Sequence, residues 1–186
     1  MTATRRLTKS QRTQRTRTTR RPVRAFPRRG HDHESCVERA LKRAAALCAR
    51  KGVQLTDLRR RVLELVWRSH EPVGAYEILN RLRRRRRGRV SAPATVYRAL
   101  DFLLDHGLVH RIESQNAYVG CAQPATSHAG QFLICAKCGA AAELADNRIR
   151  RAVARSAGSV GFSVEHQTIE VQGLCPRCVP RRRRRG

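Results

Sequence analysis

The chain has 186 residues, only 4% aromatics and a formal net charge of +26. That length allows one or two small domains whose core must be built mostly from Leu, Val, Ile and Ala. No apolar run is long enough to span a bilayer as a helix, and so basic a chain implies a polyanionic partner, above all nucleic acid.

The charge is unevenly spread. Residues 1–31 carry eleven Arg or Lys and no acid, residues 83–89 carry six Arg, and residues 181–185 carry five. These runs hold 22 of the positive charges, so the remainder of the chain is ordinary. Residues 1–34 read as a disordered basic arm, with Pro22, Pro27 and almost no apolar content. Such arms bind phosphates or enter a minor groove without sequence preference; a solubilising tail or a transit peptide would have the same composition. There is no hydrophobic region of the secretory type, so reduced cysteines and a cytoplasmic location are expected.

Residues 35–120 read as a DNA-binding domain. Val37, Leu41, Ala44, Ala45 and Cys48 fall at helical spacing and predict a first helix over 35–50, stopped by Gly52. Thr56 is an N-cap for a second helix whose apolar face is Leu58, Val62, Leu65 and Val66. Pro72 and Gly74 break it. A third helix starts at Ala75 and runs through Ile78, Leu79 and Leu82 into the Arg run that Gly88 ends. Pro93 suits the first turn of a fourth helix, in which Val96, Leu100, Leu103 and Leu104 form the buried face and Gly107 the stop. Thr95 and Arg98 lie on a different face near its N-terminal end, where a recognition helix keeps its DNA-contacting groups. Two alternating segments, 108–112 and 117–119, form a hairpin around Ser114-Gln115-Asn116. Helices followed by a small hairpin make a winged helix-turn-helix.

Residues 121–130 read as a hinge, 131–179 as a second domain and 180–186 as a basic tail. In the second domain, strands are expected at 131–134, 141–144, 162–165 and 168–171, with a helix over 147–157 directing Ile149, Val153 and Ala157 inward. Cys135-Ala-Lys-Cys138-Gly is matched by Cys175-Pro-Arg-Cys178. Two residues between cysteines let both sulfurs face one metal, and four thiolates suit tetrahedral structural zinc. Two disulfides would need an oxidising compartment. A thioredoxin-type site would carry one such pair between a strand and a helix, not a matched set. The fold class is therefore α+β: a winged helix followed by a small zinc-stapled α/β domain. So small a unit has a thin core, and dimerisation through a strand edge is expected.

With these residues laid out, the chain resembles the ferric uptake regulator family, in its zinc uptake regulator branch, from about Val53 to Cys178. The carrying motifs are Leu55-Thr56, Ala75-Tyr76, the run from Thr95 to Leu103, His110, Tyr118-Val-x-Cys121, Cys135-x-x-Cys138-Gly and Gly173-Leu-Cys175-x-x-Cys178. The resemblance implies a homodimeric zinc-responsive repressor that binds operator DNA to control zinc uptake genes. It implies two zinc ions per chain. One is structural, on Cys135, Cys138, Cys175 and Cys178; the other is regulatory, on His110, Cys121, His128 and Glu143. Iron and peroxide sensors of the family carry a His-rich cluster just before the first cysteine pair; here Thr126–Gly130 offers His128 alone, which together with Cys121 favours zinc over iron. Tyr76 resembles a base-contacting position, with Thr95 and Arg98 on DNA and Tyr97 packing or touching phosphate. The Arg runs and basic arm depart from the family pattern. A non-regulatory zinc-ribbon nucleic-acid binder, or a sensor of iron or another metal, stays open from the residues. No Ser-His-Asp or Cys-His-Asn pattern and no phosphate loop is present, so neither an enzyme nor a small organic substrate is expected.

Overall fold

A computed structural model describes Phe26 and residues 32–85, 92–124, 130–144 and 146–180. The basic arm apart from Phe26 and its last residues, most of the internal Arg run, His128 and the C-terminal Arg tail lie outside the described residues.

Four helices come first. α1 spans His33–Arg50, with the Asp32 side chain accepting from the Ser35 backbone N–H and capping it. It begins two residues before the expected start, and its buried stripe is Cys36, Ala40, Ala44, Leu47 and Cys48. Ala45 is exposed and Val37 and Leu41 are half-buried, so the face is turned from the one the periodicity suggested. The reason is tertiary: α1 packs on α2, where Ala44, Leu47 and Cys48 join the core and Leu41 packs partly buried against it. α2 spans Asp57–Trp67 behind the Thr56 cap and buries Val62, Leu63, Leu65 and Val66.

α3 spans Ala75–Arg85 and α4 spans Pro93–Asp105, with Val96, Ala99, Leu100 and Leu103 buried. The first core joins these helices to Val73, Leu108, Val109 and Tyr118. The wing has strands β2 (Val109–Ile112) and β3 (Ala117–Gly120), joined by a 3₁₀ turn over Glu113–Gln115. A two-residue strand β1, Val73–Gly74, pairs with β3 and completes a sheet of order β1-β3-β2. Two residues show no alternation, which is why the sequence did not disclose β1.

The C-terminal sheet has order β5-β4-β6, built from β4 (Gly130–Cys135), β5 (Ala141–Glu143) and β6 (Thr168–Gly173). β5 runs antiparallel and β6 parallel to β4. Between β5 and β6 lies α5, Asn147–Gly158, capped by Asp146. Two expectations need correction. Phe162–Glu165 is not a strand, and no residue of α5 is buried. Among the described residues the 162–165 segment has no strand beside it to pair with, and of the Ile149–Val153–Ala157 stripe Ile149 and Ala157 are half-buried and Val153 is exposed.

Gly120 sits where β3 passes Trp67. A Cβ added there would lie 2.2 Å from the indole Cε2. Gly120→Ala is expected to destabilise the N-terminal domain by about 1–3 kcal/mol, and adding Trp67→Leu should recover most of the loss. Denaturant unfolding at one fixed zinc concentration measures both, because bound metal shifts apparent stability.

Candidate metal centres and DNA-binding face

Two groups of metal-ligating side chains converge among the described residues: Cys135, Cys138, Cys175 and Cys178, and His110, Cys121 and Glu143. Within each group one ligand atom per residue lies within 4.8 Å of all the others.

The four cysteines come from two matching turns. β4 delivers Cys135, and the chain doubles back as the Gly139 N–H donates to the Cys135 carbonyl at 2.9 Å. Gly139 holds φ +69°, which a residue with a Cβ adopts only with strain. After β6, the N–H groups of Cys178 and Val179 donate to the Cys175 carbonyl in the second turn. Parallel pairing ends with Cys135 opposite Gly173, so the two turns emerge side by side from one sheet end. The Ala136 N–H donates to the Gly173 carbonyl and tightens that junction.

Cys135 and Cys175 are buried, and the Cys138 and Cys175 sulfurs are 3.8 Å apart. A tetrahedron with Zn–S of about 2.3 Å places its sulfurs about 3.8 Å from one another, so the donor set fits zinc. Backbone N–H groups of Cys175, Cys138 and Lys137 outweigh burial and hold the Cys135 thiol down at about 6. Burial and the neighbouring sulfurs push Cys178 up to about 12. Four clustered thiols cannot all ionise unaided, and a dication removes that conflict.

The second group sits where the two sheets meet. His110 lies in β2 opposite Val119, Cys121 follows β3, and Glu143 ends β5. His110 Nε2 is 3.1 Å from Glu143 Oε1, and Glu143 Oε2 accepts from the Ala122 N–H at 3.2 Å. The ring of His110 stands edge-on to Phe132, their centroids 5.3 Å apart. Cys121 is buried, and its own N–H donates to the Leu108 carbonyl. One residue on, the Ala122 carbonyl accepts from Arg43 Nη1 of α1 at 3.0 Å. That contact spans 79 residues and has no local sequence signal. Imidazole, thiolate and carboxylate suit a divalent transition metal. The remaining expected ligand, His128, lies outside the described residues.

The DNA-facing candidates lie at the starts of α3 and α4. Thr95, Tyr97 and Arg98 are exposed on α4, and Tyr76 is exposed at the start of α3. Tyr97 is 51% exposed and Tyr76 71%, so neither ring packs into the core of this chain. Exposed aromatics flanking an arginine suit contact with a phosphate backbone and base edges.

A winged helix joined to a four-cysteine domain, with a His–Cys–Glu group at the junction, defines a metal-binding protein of DNA-binding fold. The ferric uptake regulator family profile matches residues 50–172, and the chain belongs to that family, in its zinc uptake regulator branch. The zinc uptake regulation protein of Escherichia coli (strain K12) is 38% identical over 149 residues, covering 78% of this chain and 85% of that protein. The zinc uptake regulation protein of Mycobacterium tuberculosis (strain ATCC 25618 / H37Rv) is 32% identical over 130 residues, covering 68% and 95%. A solved zinc uptake regulator complexed with zinc and DNA superposes with a TM-score of 0.72 at 38% identity, covering 77% of this chain and 95% of that one.

Cys175 is fully buried in its cluster. Cys175→Ser is expected to lose tightly held zinc and to unfold the C-terminal sheet while the helices of the N-terminal domain persist. Metal content per chain and circular dichroism check this together.

Proposed function

We propose that the chain is a zinc-responsive transcriptional repressor. In this reading it binds operator DNA as a zinc-loaded homodimer in the cytoplasm and controls zinc uptake genes; it is a regulator, not an enzyme. The observation that carries the reading is the His110–Cys121–Glu143 group, drawn from both domains of a chain related to zinc uptake regulation proteins. The likeness to a regulator solved with zinc and DNA supports the nucleic-acid partner. Among the described residues no helix is long and apolar enough to cross a membrane.

When bound, zinc supplies a dication that favours deprotonated donors held in one fixed arrangement. His110 and Cys121 bring the wing side of that arrangement and Glu143 the C-terminal sheet, with His128 as the fourth donor by family resemblance. Joining them limits the separations that two DNA-binding domains of a dimer can adopt. A dimer reads two half-sites only at one spacing, so this limit selects the binding-competent state. Thr95 and Arg98 then meet base edges and phosphates, with Tyr76 and Tyr97 alongside. The Arg runs add attraction that ignores sequence and weakens with salt.

Exposed apolar side chains on the C-terminal domain support the homodimer. Val153, Val160, Phe162, Val171, Leu174 and Val179 are all exposed on a domain of little core. A second copy of the same domain would cover such side chains symmetrically.

Protons compete for the regulatory donors. Burial alone would lower the His110 pKa, but its hydrogen bonds to Cys121 and Glu143 and their charges outweigh that and raise it to about 9. Without metal, the imidazolium therefore contributes stability that is full below its ordinary pKa of about 6.5 and is lost as pH rises through about 9. Metal must displace that proton. Zinc affinity should climb with pH over this window by up to about tenfold per unit for each proton released.

A titration of free zinc, with duplex binding and metal content followed on the intact chain and Cys121→Ser, tests the reading. The intact chain is expected to bind duplex as a second, exchangeable zinc loads, more tightly at pH 8.5 than at 6.5. Cys121→Ser should keep one tight zinc and lose the response. Zinc-independent, salt-sensitive binding that the substitution leaves unchanged would sink the regulatory assignment.

A further inference from the structure

Glu170 lies in the middle of β6, in register with Phe132 of β4. Its carboxylate reaches out of the C-terminal sheet and grips the tip of the wing. Oε1 accepts from the Glu113 backbone N–H at 2.6 Å, and Oε2 accepts from the Ser114 N–H at 3.2 Å. These contacts span 57 and 56 residues of sequence. The two amides open the 3₁₀ turn, and the first N–H groups of a helical turn have no partner inside it. A two-oxygen acceptor meets two adjacent, otherwise unsatisfied donors. Burial pushes the Glu170 pKa up, yet the Ser114 hydroxyl and the two backbone donors more than offset this and leave it below the usual carboxylate value. The charged form is the one that grips.

The position of this contact matters. His110 and Cys121 hold the wing at its hinge end, whereas Glu113 is three residues farther along from His110. At the rise of a strand, that is about 10 Å away. Between the two ends, fully buried Ile112 inserts against Phe132, Ile134 and Ala141 of the C-terminal sheet. A third polar tie joins the Ala141 N–H to the His70 carbonyl at 3.0 Å. A single anchor beside the hinge would leave the DNA-binding domain free to swivel about it. Anchors at separate points remove that rotation, and a recognition helix swung through even a modest angle no longer lies along its groove.

We propose that Glu170 is a positioning residue for DNA binding: its carboxylate clamps the wing turn at Glu113 and Ser114, and so sets the orientation of the DNA-binding domain that metal at the hinge selects. The inference rests on reading His110, Cys121 and Glu143 as the zinc-responsive site. It carries a consequence that a merely local contact lacks. Clamp and metal close the same interface, so each favours the other, and by linkage the factor is the same in both directions. Removing the clamp must weaken exchangeable zinc without disturbing the four-cysteine site.

The test uses the full-length chain, Glu170→Ala and the near-isosteric Glu170→Gln, each checked for retention of the tight zinc. Amide hydrogen exchange at Glu113 and Ser114 is measured with zinc bound, and the exchangeable site is titrated with zinc against a competing chelator. In Glu170→Ala, exchange at both amides is expected to rise about tenfold, the worth of a hydrogen bond to a charged acceptor, and affinity for the exchangeable zinc to fall several-fold. Glu170→Gln, which keeps one carbonyl acceptor, should fall between, and it decides the question if Glu170→Ala does not fold. Unchanged exchange at Glu113 and Ser114 would remove the clamp. Faster exchange with unchanged zinc affinity would reduce it to a local staple and overturn the positioning role. An intact chain that takes up no second zinc overturns the zinc-responsive reading instead, and exchange at the two amides still decides whether the contact exists.

Discussion

The C-terminal sheet cannot close a core of its own, and much of the molecule follows from that shortage. Its buried cluster is Phe132, Ile134 and Ala141, completed by Ile112 from the wing of the other domain. So few apolar side chains offset only a fraction of the entropy lost in ordering a domain of this size. The deficit is met from outside the core in two ways: four sulfurs suited to one metal ion and a side chain borrowed from the wing. Each is a connection as well as a source of stability. A domain built this way is coupled to whatever holds it together, which is a useful property in a switch.

The junction between the sheets concentrates that coupling. A carboxylate, an imidazole and a thiol meet within hydrogen-bonding reach beside an aromatic edge. Each carries a protonation state that the others influence, as the raised pKa of His110 shows. In such a group, proton and metal are alternatives at the same place. Backbone groups complete the arrangement: the Ala122 N–H steadies Glu143, and the Ala122 carbonyl takes a hydrogen bond from Arg43.

The charge of the chain serves a different purpose from its specificity. Most of the excess Arg lies in a terminal arm, an internal run and a tail, where it attracts any polyanion from a distance. α4 instead exposes Thr95, Tyr97 and Arg98 on a helix held by a well-packed core. Long-range attraction needs only net charge, whereas reading a groove needs side chains held in place.

Much of the fold was legible in the sequence where the governing interactions are local. Thr56 caps α2, Gly52 and Gly107 stop their helices, and Cys-x-x-Cys repeated with Gly139 defines a knuckle, because caps, positive φ and turn spacing are properties of a few neighbouring residues. Four cysteines in two matched pairs also state their chemistry without a structure. His110, Cys121 and Glu143 were different: their roles came only through family resemblance, since nothing in their spacing says that a wing strand, a hinge and a distant sheet edge will converge. The tertiary structure alone decided the buried stripe of α1, the two-residue strand β1, the unpaired segment at 162–165 and an α5 with no buried residue. It also decided the grip of Glu170 on a turn 56 residues away. Periodicity reports that a face is apolar, but which neighbour covers it, and how closely, depends on packing between elements remote in the chain.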